Sequence, residues 1–453
     1  MKNLLIIGNS PLPNENTKSR PAAGLRSFQF LSPLLSLNLN ILLINIAMPE
    51  CYEEEPEYKE VENSETFKEI TISKNDPALV SKIQKIHDDF GPEALLSVNT
   101  YPSYIASQLK STAAFWADLN GWAMAEAQAQ AFKKNSNTYI PHYAKMENEI
   151  ISRADKFSVV SEAQKYALTG ELALIGRLNK ETFNYKFVKV IVNGTEWFLN
   201  EEEVLNEEAN NYQIPVPDDA FTVLWMGGYN TWVDEKTLFN GLEKAMKECK
   251  QLYFISTGGE IKGLDNKTFS NFKKLIDESE YKDRFKFLGW VETKNIPYIY
   301  KKADIGINVD RKCMETFTGA RNRINEMMKF GLPVLTTLGT EISYEIVRFS
   351  AGVGVKSGRP ELLSNALIDM YRGRNSQQFL EYSQNGQNYI KENCNYKETL
   401  KPLIRWLENP RSAPDRNVIV NFGKAGLFKA AVLYIKENGL KKFAKKLIQK
   451  FKK

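Results

Sequence analysis

The residues best suited to chemistry lie in two polar segments of the second half of the chain. The first is Trp225-Met-Gly-Gly-Tyr-Asn-Thr-Trp-Val-Asp-Glu-Lys236. An apolar run ends at Gly227-Gly228, and a helical pattern starts near Asp234. Glycines let a backbone approach a phosphate, and a helix N-terminus offers unpaired N–H groups and a positive dipole end. On that reading Asn230, Trp232 and Asp234 also face the ligand; the competing reading is a tight turn with Asp234 as an ordinary helix cap. Neither a P-loop nor a Gly-x-Gly-x-x-Gly fingerprint is present. A second glycine pair, Gly258-Gly259, follows another strand-like run. The other segment is Glu315-Thr-Phe-Thr-Gly-Ala-Arg-Asn-Arg-Ile-Asn-Glu326, which continues into Gly331-Leu-Pro-Val. Arg321 and Arg323 can give charge-assisted hydrogen bonds to a diphosphate, and Glu315 and Glu326 can accept from sugar hydroxyls. Thr318 and Gly319 lie in the same loop. A solvated charged face is the competing reading, but this loop precedes an apolar helix and a strand, which places it near a sheet's crevice.

In the first half, Gly24-Leu-Arg26 opens a helix, and Arg26 either reaches a donor phosphate or sits on the surface. Trp116-Ala-Asp-Leu-Asn-Gly-Trp122 ends a strand. Asp118 there can orient an acceptor hydroxyl, with Asn120 beside it; Asn-Gly is also plain turn chemistry. His87 and His142 are the two histidines, and a structural or surface role suits both.

The elements that must position these groups alternate. Strand-like runs are read at 3–8, 40–46, 94–98, 113–117, 156–160 and 188–192, with helical stretches between them. A second series starts at 221–226 and continues through 252–257, 285–288, 305–309 and 334–337. Continuous apolar runs of this length are those of buried parallel strands. Two successive βα series imply an α/β chain of two doubly wound, Rossmann-like domains facing each other, with ligands outside the carboxyl ends of the strands. The expected organisation is a first Rossmann-like domain over 1–200, a linker over 201–218, a second such domain over 219–395, a helix over 396–410 and a basic tail over 411–453.

Several segments together resemble the group 1 (retaining) glycosyltransferases, and one bacterial branch in particular. They are Ala154-Asp-Lys-Phe-Ser-Val-Val-Ser-Glu-Ala-Gln-Lys165, Gly176-Arg-Leu-Asn179, Trp225-Met-Gly-Gly228 with Trp232-Val-Asp234, Phe287-Leu-Gly-Trp290, Ala303-Asp-Ile-Gly306, and Arg321-Asn-Arg323 before Gly331-Leu-Pro-Val. The ordered set spans residues 154–334. The resemblance implies the GT-B fold, with the acceptor on the N-terminal domain over 1–200, a nucleotide diphosphate-sugar as donor substrate on the domain over 219–395, the 396–410 helix crossing back to the first domain, transfer with retention, and no metal or other cofactor. It places Gly227 and Gly228 near the diphosphate, Glu326 on the ribose hydroxyls, and Arg321 and Arg323 toward phosphate. Asn230, Trp232, Asp234, Gly258, Thr318 and Gly319 complete the donor set. Gly24, Arg26 and Asn120 serve acceptor or phosphate from the first domain, and Asp118, Glu315 and Arg321 are the candidate catalytic residues. Replacing Arg321 by alanine is expected to weaken donor binding with the fold intact. The resemblance names no protein base, the donor phosphate itself taking that part. Two departures stand out. The family pairs two glutamates eight positions apart, yet Thr318 stands eight before Glu326. Asn230, Trp232 and Lys236 occupy the region of the usual Arg…Lys pair.

Composition bounds the rest. An apolar fraction of 43% and a charged fraction of 25% are those of a globular chain, not a disordered one. Cys51, Cys249, Cys313 and Cys394 match no zinc spacing and read as reduced thiols. Residues 436–453 carry eight lysines against Glu437, a net +7 of the chain's +5, so the body sums to −2 and offers nucleic acid nothing. Leu440, Phe443, Ala444, Leu447, Ile448 and Phe451 recur at helical spacing among those lysines. That is an amphipathic cationic helix suited to an anionic membrane surface, or else docked on the body. The expectation is a cytoplasmic enzyme held peripherally at the inner face of the membrane, acting on a lipid-linked or other glycan acceptor. A catalytically silent assembly subunit and a sugar-nucleotide epimerase on the same scaffold are the alternatives.

Overall fold

The computed structural model describes residues 2–15, 17, 19–54, 56–198, 213–261, 265–418, 420 and 424–444. The first half holds β1 (Lys2–Ser10), α1 (Ala22–Leu31), β2 (Leu39–Ala47), β3 (Lys59–Ser64), β4 (Phe67–Ser73), α2 (Leu79–Phe90), β5 (Ala94–Val98), α3 (Thr100–Ser107), β6 (Ala114–Leu119), α4 (Ala123–Lys134), α5 (Ile140–Arg153), β7 (Lys156–Val159), α6 (Glu162–Leu174) and β8 (Val188–Val190). The second half holds β9 (Phe221–Trp225), α7 (Glu235–Glu248), β10 (Leu252–Thr257), α8 (Lys267–Asp277), β11 (Phe285–Gly289), α9 (Ile296–Lys301), β12 (Ile305–Asn308), α10 (Met314–Thr318), α11 (Asn322–Lys329), β13 (Val334–Leu338), α12 (Glu341–Arg348), β14 (Gly352–Lys356), α13 (Pro360–Arg372), α14 (Gln377–Asn393), α15 (Tyr396–Glu408) and α16 (Lys424–Asn438).

Two sheets result. The first runs β3-β4-β2-β1-β5-β6-β7-β8, parallel except for the β3–β4 pair. The second runs β11-β10-β9-β12-β13-β14, parallel throughout. Successive strand side chains point to opposite faces, and both faces are covered. On β1, Leu5 and Ile7 join one core and Leu4 and Ile6 the other. On β9, Val223 and Trp225 face one core and Leu224 the other. This is the two-domain architecture read from the apolar runs. The β3–β4 hairpin was not read, because β3 is an exposed edge strand of charged residues with no apolar alternation. β14, Gly-Val-Gly-Val-Lys, was also passed over, being short and two-fifths glycine.

α15 packs against the first sheet, with Leu400, Leu403 and Leu407 in its core and Trp406 edge-on to Trp116 at 5.4 Å. The stretch 201–212 of the expected linker, and 445–453 of the tail with Leu447, Ile448, Phe451 and five of its lysines, lie outside the described residues.

In each sheet the chain order reverses beside its first strand. In the second sheet the reversal falls between β9 and β12, and in the first between β1 and β5. The crevices at those points are where such sheets bind ligands.

Candidate functional site between the two sheets

At the carboxyl edge of the second sheet three strand ends are tied together through their backbones and the Thr257 hydroxyl. Gly227 N–H donates to Thr257 Oγ1 at 2.8 Å, Gly258 N–H to the Gly289 carbonyl at 2.6 Å, and Tyr229 N–H to the Gly259 carbonyl at 3.0 Å. Gly227 and Gly258 have φ of 87° and 70°, and a Cβ on Gly258 would lie 2.4 Å from the Gly227 carbonyl carbon. Only glycine allows that approach without strain.

Arg323, in the first turn of α11, closes this edge. Its Nη2 donates to the Gly228 carbonyl at 2.8 Å and its guanidinium stacks 4.1 Å above the Trp225 ring. Burial pulls its pKa down to about 10, which leaves it cationic at neutral pH. Its Nη1 has no hydrogen-bond partner, and neither have Asn230 Oδ1, Thr231 Oγ1 and Asn308 Oδ1. These four buried polar atoms come from the β9 loop, α11 and the end of β12, the elements that border the switch point. Buried polar atoms without partners are rare, and a polar ligand in the crevice that these elements border would complete their bonding.

Arg321 behaves differently. Its Nε donates to Asp310 at 2.7 Å, and Nη1 and Nη2 donate to the two oxygens of Glu315 at 2.9 and 2.7 Å. Burial opposes its charge, but Asp310 and Glu315 outweigh that and hold it above its ordinary range. Burial in turn raises the Glu315 carboxyl against the pull of Arg321. Gly319 permits this packing, since a Cβ there would lie 2.5 Å from Glu315 Oε1. The expectation that Arg321 is free for phosphate and Glu315 for a sugar is corrected: each is spent on the other. Thr318 Oγ1 is turned back to the Met314 carbonyl at 2.9 Å. Trp232 lies 5.2 Å from the Arg321 guanidinium. Asp234 caps α7, accepting from Thr237 N–H and Oγ1 at 3.1 and 2.7 Å, so the cap reading prevails over the ligand reading.

Glu326 is also engaged. It accepts from Arg20 at 3.0 Å and Thr195 at 2.5 Å, both in the first half of the chain, and lies 3.3 Å from Lys329. Burial disfavours its ionisation, but Lys329, Arg20 and Thr195 hold its pKa below the ordinary range. In this conformation it clasps the two halves rather than offering oxygens to a ribose. Lys133 to Glu235 at 2.8 Å and Asn325 to the Asn193 carbonyl at 2.7 Å cross the same divide. A cavity of about 470 Å³ lies between the halves, lined among others by Val160, Asn193, Ala320, Asn325, Tyr344 and Arg348.

On the first sheet the expectations for Arg26 and Asp118 are corrected. The Arg26 guanidinium grips both oxygens of Asp118 at 2.9 and 2.7 Å and donates to the Ile191 and Val192 carbonyls at 2.8 and 3.1 Å. Asp118 also accepts from Ser158 at 2.6 Å. Both side chains are buried, with no atom left for substrate. The pair stitches α1, β6 and the connecting strand end together. Gly24 is a packing glycine: a Cβ would lie 1.9 Å from the Pro11 carbonyl oxygen. Asn120 does lie at the edge, donating to Asn99 at 3.1 Å, which in turn donates to Asn9 at 3.1 Å. Asn9 and Asn99 were not found in the sequence; the one signal, Asn99 with φ of 76°, exists only in the backbone. Among the described residues no group of three or more His, Cys, Asp or Glu could hold a metal ion.

Residues 220–372 match the family described as Glycosyl transferases group 1. No curated protein matches the chain by sequence. Among solved structures the chain is similar to sucrose-phosphate synthase from Thermosynechococcus elongatus (15% identity, TM-score 0.66, 90% of this chain and 99% of that one). It is similar to Anabaena HepE in complex with UDP and glucose (14%, 0.62, 90% and 100%) and to WaaG, a glycosyltransferase involved in lipopolysaccharide biosynthesis (11%, 0.57, 88% and 98%). At these identities the likeness shows the fold, which is GT-B. Residues 220–372, which carry the glycine-lined edge and Arg323, are thus similar to the group 1 glycosyltransferases, as the motifs are.

Proposed function

We propose that the protein is a retaining glycosyltransferase that moves a sugar from a nucleotide diphosphate-sugar to a glycan acceptor. The observation that carries this reading is the set of unpartnered buried polar atoms on Asn230, Thr231, Asn308 and Arg323 around the Gly227–Gly258 edge. There Arg323 balances the diphosphate charge, and the glycines admit it to the backbone. A buried, pre-oriented cation of this kind stabilises charge developing on the leaving diphosphate more than charge in the ground state. The acceptor lies opposite, against the Asn9–Asn99–Asn120 edge of the first sheet. The solved HepE complex with UDP and glucose makes a uridine nucleotide the first donor to try. The reading requires no metal.

The acceptor is lipid-linked on this reading, and the C-terminal residues hold the enzyme at an anionic cytoplasmic membrane face. α16 leaves Phe428, Val432 and Leu433 exposed, and Leu440 follows, also exposed. The eight lysines of 436–453 supply the electrostatic attraction. No described helix is long and apolar enough to cross a membrane.

The test is thermal shift of the full chain with a panel of nucleotide diphosphates and nucleotide-sugars, since a ligand of the folded state raises apparent stability. A shift with one base and one sugar, lost in Arg323→Ala, is the expected result. No shift with any sugar nucleotide favours the silent assembly subunit, a reading supported by Arg321 and Glu326 being occupied by protein partners.

A further inference from the structure

The amino edge of the first sheet, at the far end of the strands from the cleft, carries an exposed surface that is both apolar and basic. The chain turns there between α6 and β8. Leu174, Leu178 and Phe183 on this turn are 79%, 49% and 81% exposed. The loop that bears them is held by its own hydrogen bonds. Asn179 Oδ1 accepts from Glu181 N–H at 3.0 Å, Thr182 Oγ1 donates to the Arg177 carbonyl at 2.6 Å, and the Tyr185 hydroxyl donates to the Asp155 carbonyl at 2.9 Å. A single exposed apolar side chain needs no explanation, but three large ones on one ordered loop mark a contact surface.

The C-terminal segment is fastened to the same edge. The Arg177 guanidinium, next to Leu178, grips both oxygens of Asp415 at 2.9 and 2.8 Å, and both side chains are buried. Ala413 N–H donates to Asp155 at 2.8 Å, and Arg416 donates to the Ser111, Thr112 and Ala113 carbonyls at 3.1, 3.0 and 3.1 Å. Val418, two positions on, is 41% exposed. α16 begins at Lys424, and the six residues from Val418 to there span at most about 20 Å. The basic tail therefore starts within that reach of the loop. Charge concentrates here too. Residues 174–189 and 411–418 hold six basic residues against Glu181 and Asp415, a net +4 in a body that sums to −2. Lys156 Nζ reaches the Lys186 carbonyl at 2.6 Å, and burial, with Lys189 adding to it, pulls the Lys156 amine down to about 8.

We propose that this amino-edge loop is a second membrane contact, seating the first domain on an anionic bilayer with Leu174, Leu178 and Phe183 among the headgroups and Lys180, Lys186 and Lys189 toward lipid phosphates. The proposal rests on the membrane role of the C-terminal tail and not on the transfer reaction. A bilayer fits better than a protein partner, because lysine is depleted in protein–protein interfaces and favoured beside apolar side chains at anionic lipid. The tail supplies most of the attraction, and the loop fixes how the body sits. Two attachments on one chain bind together more tightly than either does alone. The carboxyl edge lies the length of β6 away, about 20 Å for its six residues, so a bilayer seated here leaves the cleft open.

Two measurements on the full chain test it, both with vesicles of equal parts phosphatidylcholine and phosphatidylglycerol. The first is amide hydrogen exchange with and without vesicles. Slower exchange is expected over 174–187 as well as in the tail; protection of the tail alone overturns the proposal and leaves the tail's role intact. The second is co-sedimentation of two double variants, with the melting temperature as the check that each is folded. Leu178→Ser with Phe183→Ser should lower the apparent partition coefficient by about tenfold or more. Lys180→Gln with Lys186→Gln should lower it by about 10–30-fold at low salt and by less at high salt. Wild-type partitioning in both double variants overturns the proposal. An intact chain that does not sediment with these vesicles overturns the tail's membrane role, and the loop contact with it.

Discussion

Replacing Arg321 by alanine should cost stability first and donor affinity only as a consequence. The substitution strands Asp310 and Glu315, 2% and 5% exposed, with no cation between them. Breaking a buried pair in this way costs about 3–5 kcal/mol. For a domain of this size that corresponds to a fall in melting temperature of roughly 6–20 °C. The loss has a pH signature. The Glu315 carboxyl is already raised by burial against the pull of Arg321 and rises further without it. A carboxyl raised in the folded state costs stability once the pH passes the unfolded value of about 4.3. The deficit should therefore be small at pH 5 and full at pH 8. Tryptophan fluorescence during thermal unfolding reads it locally, since Trp232 lies 5.2 Å from the guanidinium. Asp310→Asn, Glu315→Gln and Arg321→Met together should recover most of the loss, because no buried charge is then left unpaired. An alanine variant that melts like wild type and only binds donor weakly would refute this and return Arg321 to the phosphate.

Arg323→Ala should weaken nucleotide-sugar binding by about 10–150-fold, the worth of one hydrogen bond to a charged group, with little change in melting temperature; calorimetric titration measures it, and wild-type affinity would move the donor elsewhere. Glu147→Gln should raise the melting temperature, because burial and the Glu171 charge push the Glu147 carboxyl well above its ordinary range. A raised carboxyl costs stability above its unfolded pKa, so the gain should grow from pH 5 to pH 8; a pH-independent gain counts against a raised Glu147. Removing residues 436–453 should abolish co-sedimentation with anionic vesicles, and salt should weaken the intact chain's binding; unchanged sedimentation would show that the lysines do not carry it.

Local order was legible in the chain. Runs such as Leu4–Ile7 and Phe221–Trp225 must be buried on both faces, so they read as parallel strands without reference to distant residues. Glycine after a strand also speaks for itself: Gly227 holds a φ of 87°, and a Cβ on Gly258 would strike the Gly227 backbone. Ordered motifs at 154–334 then pointed to the chemistry of the second domain. Charge was the part that misled. Arg26, Arg321, Asp118, Glu315 and Glu326 were read as groups free for substrate because sequence shows which charges exist and not which of them meet. Arg26 and Asp118 are 92 positions apart and Arg20 and Glu326 306 apart, yet each pair is within hydrogen-bonding distance. A buried charge must find a partner or lose its proton. Only the packing of two sheets against each other decided that Arg321 would be paired and that Arg323 would keep a donor to spare.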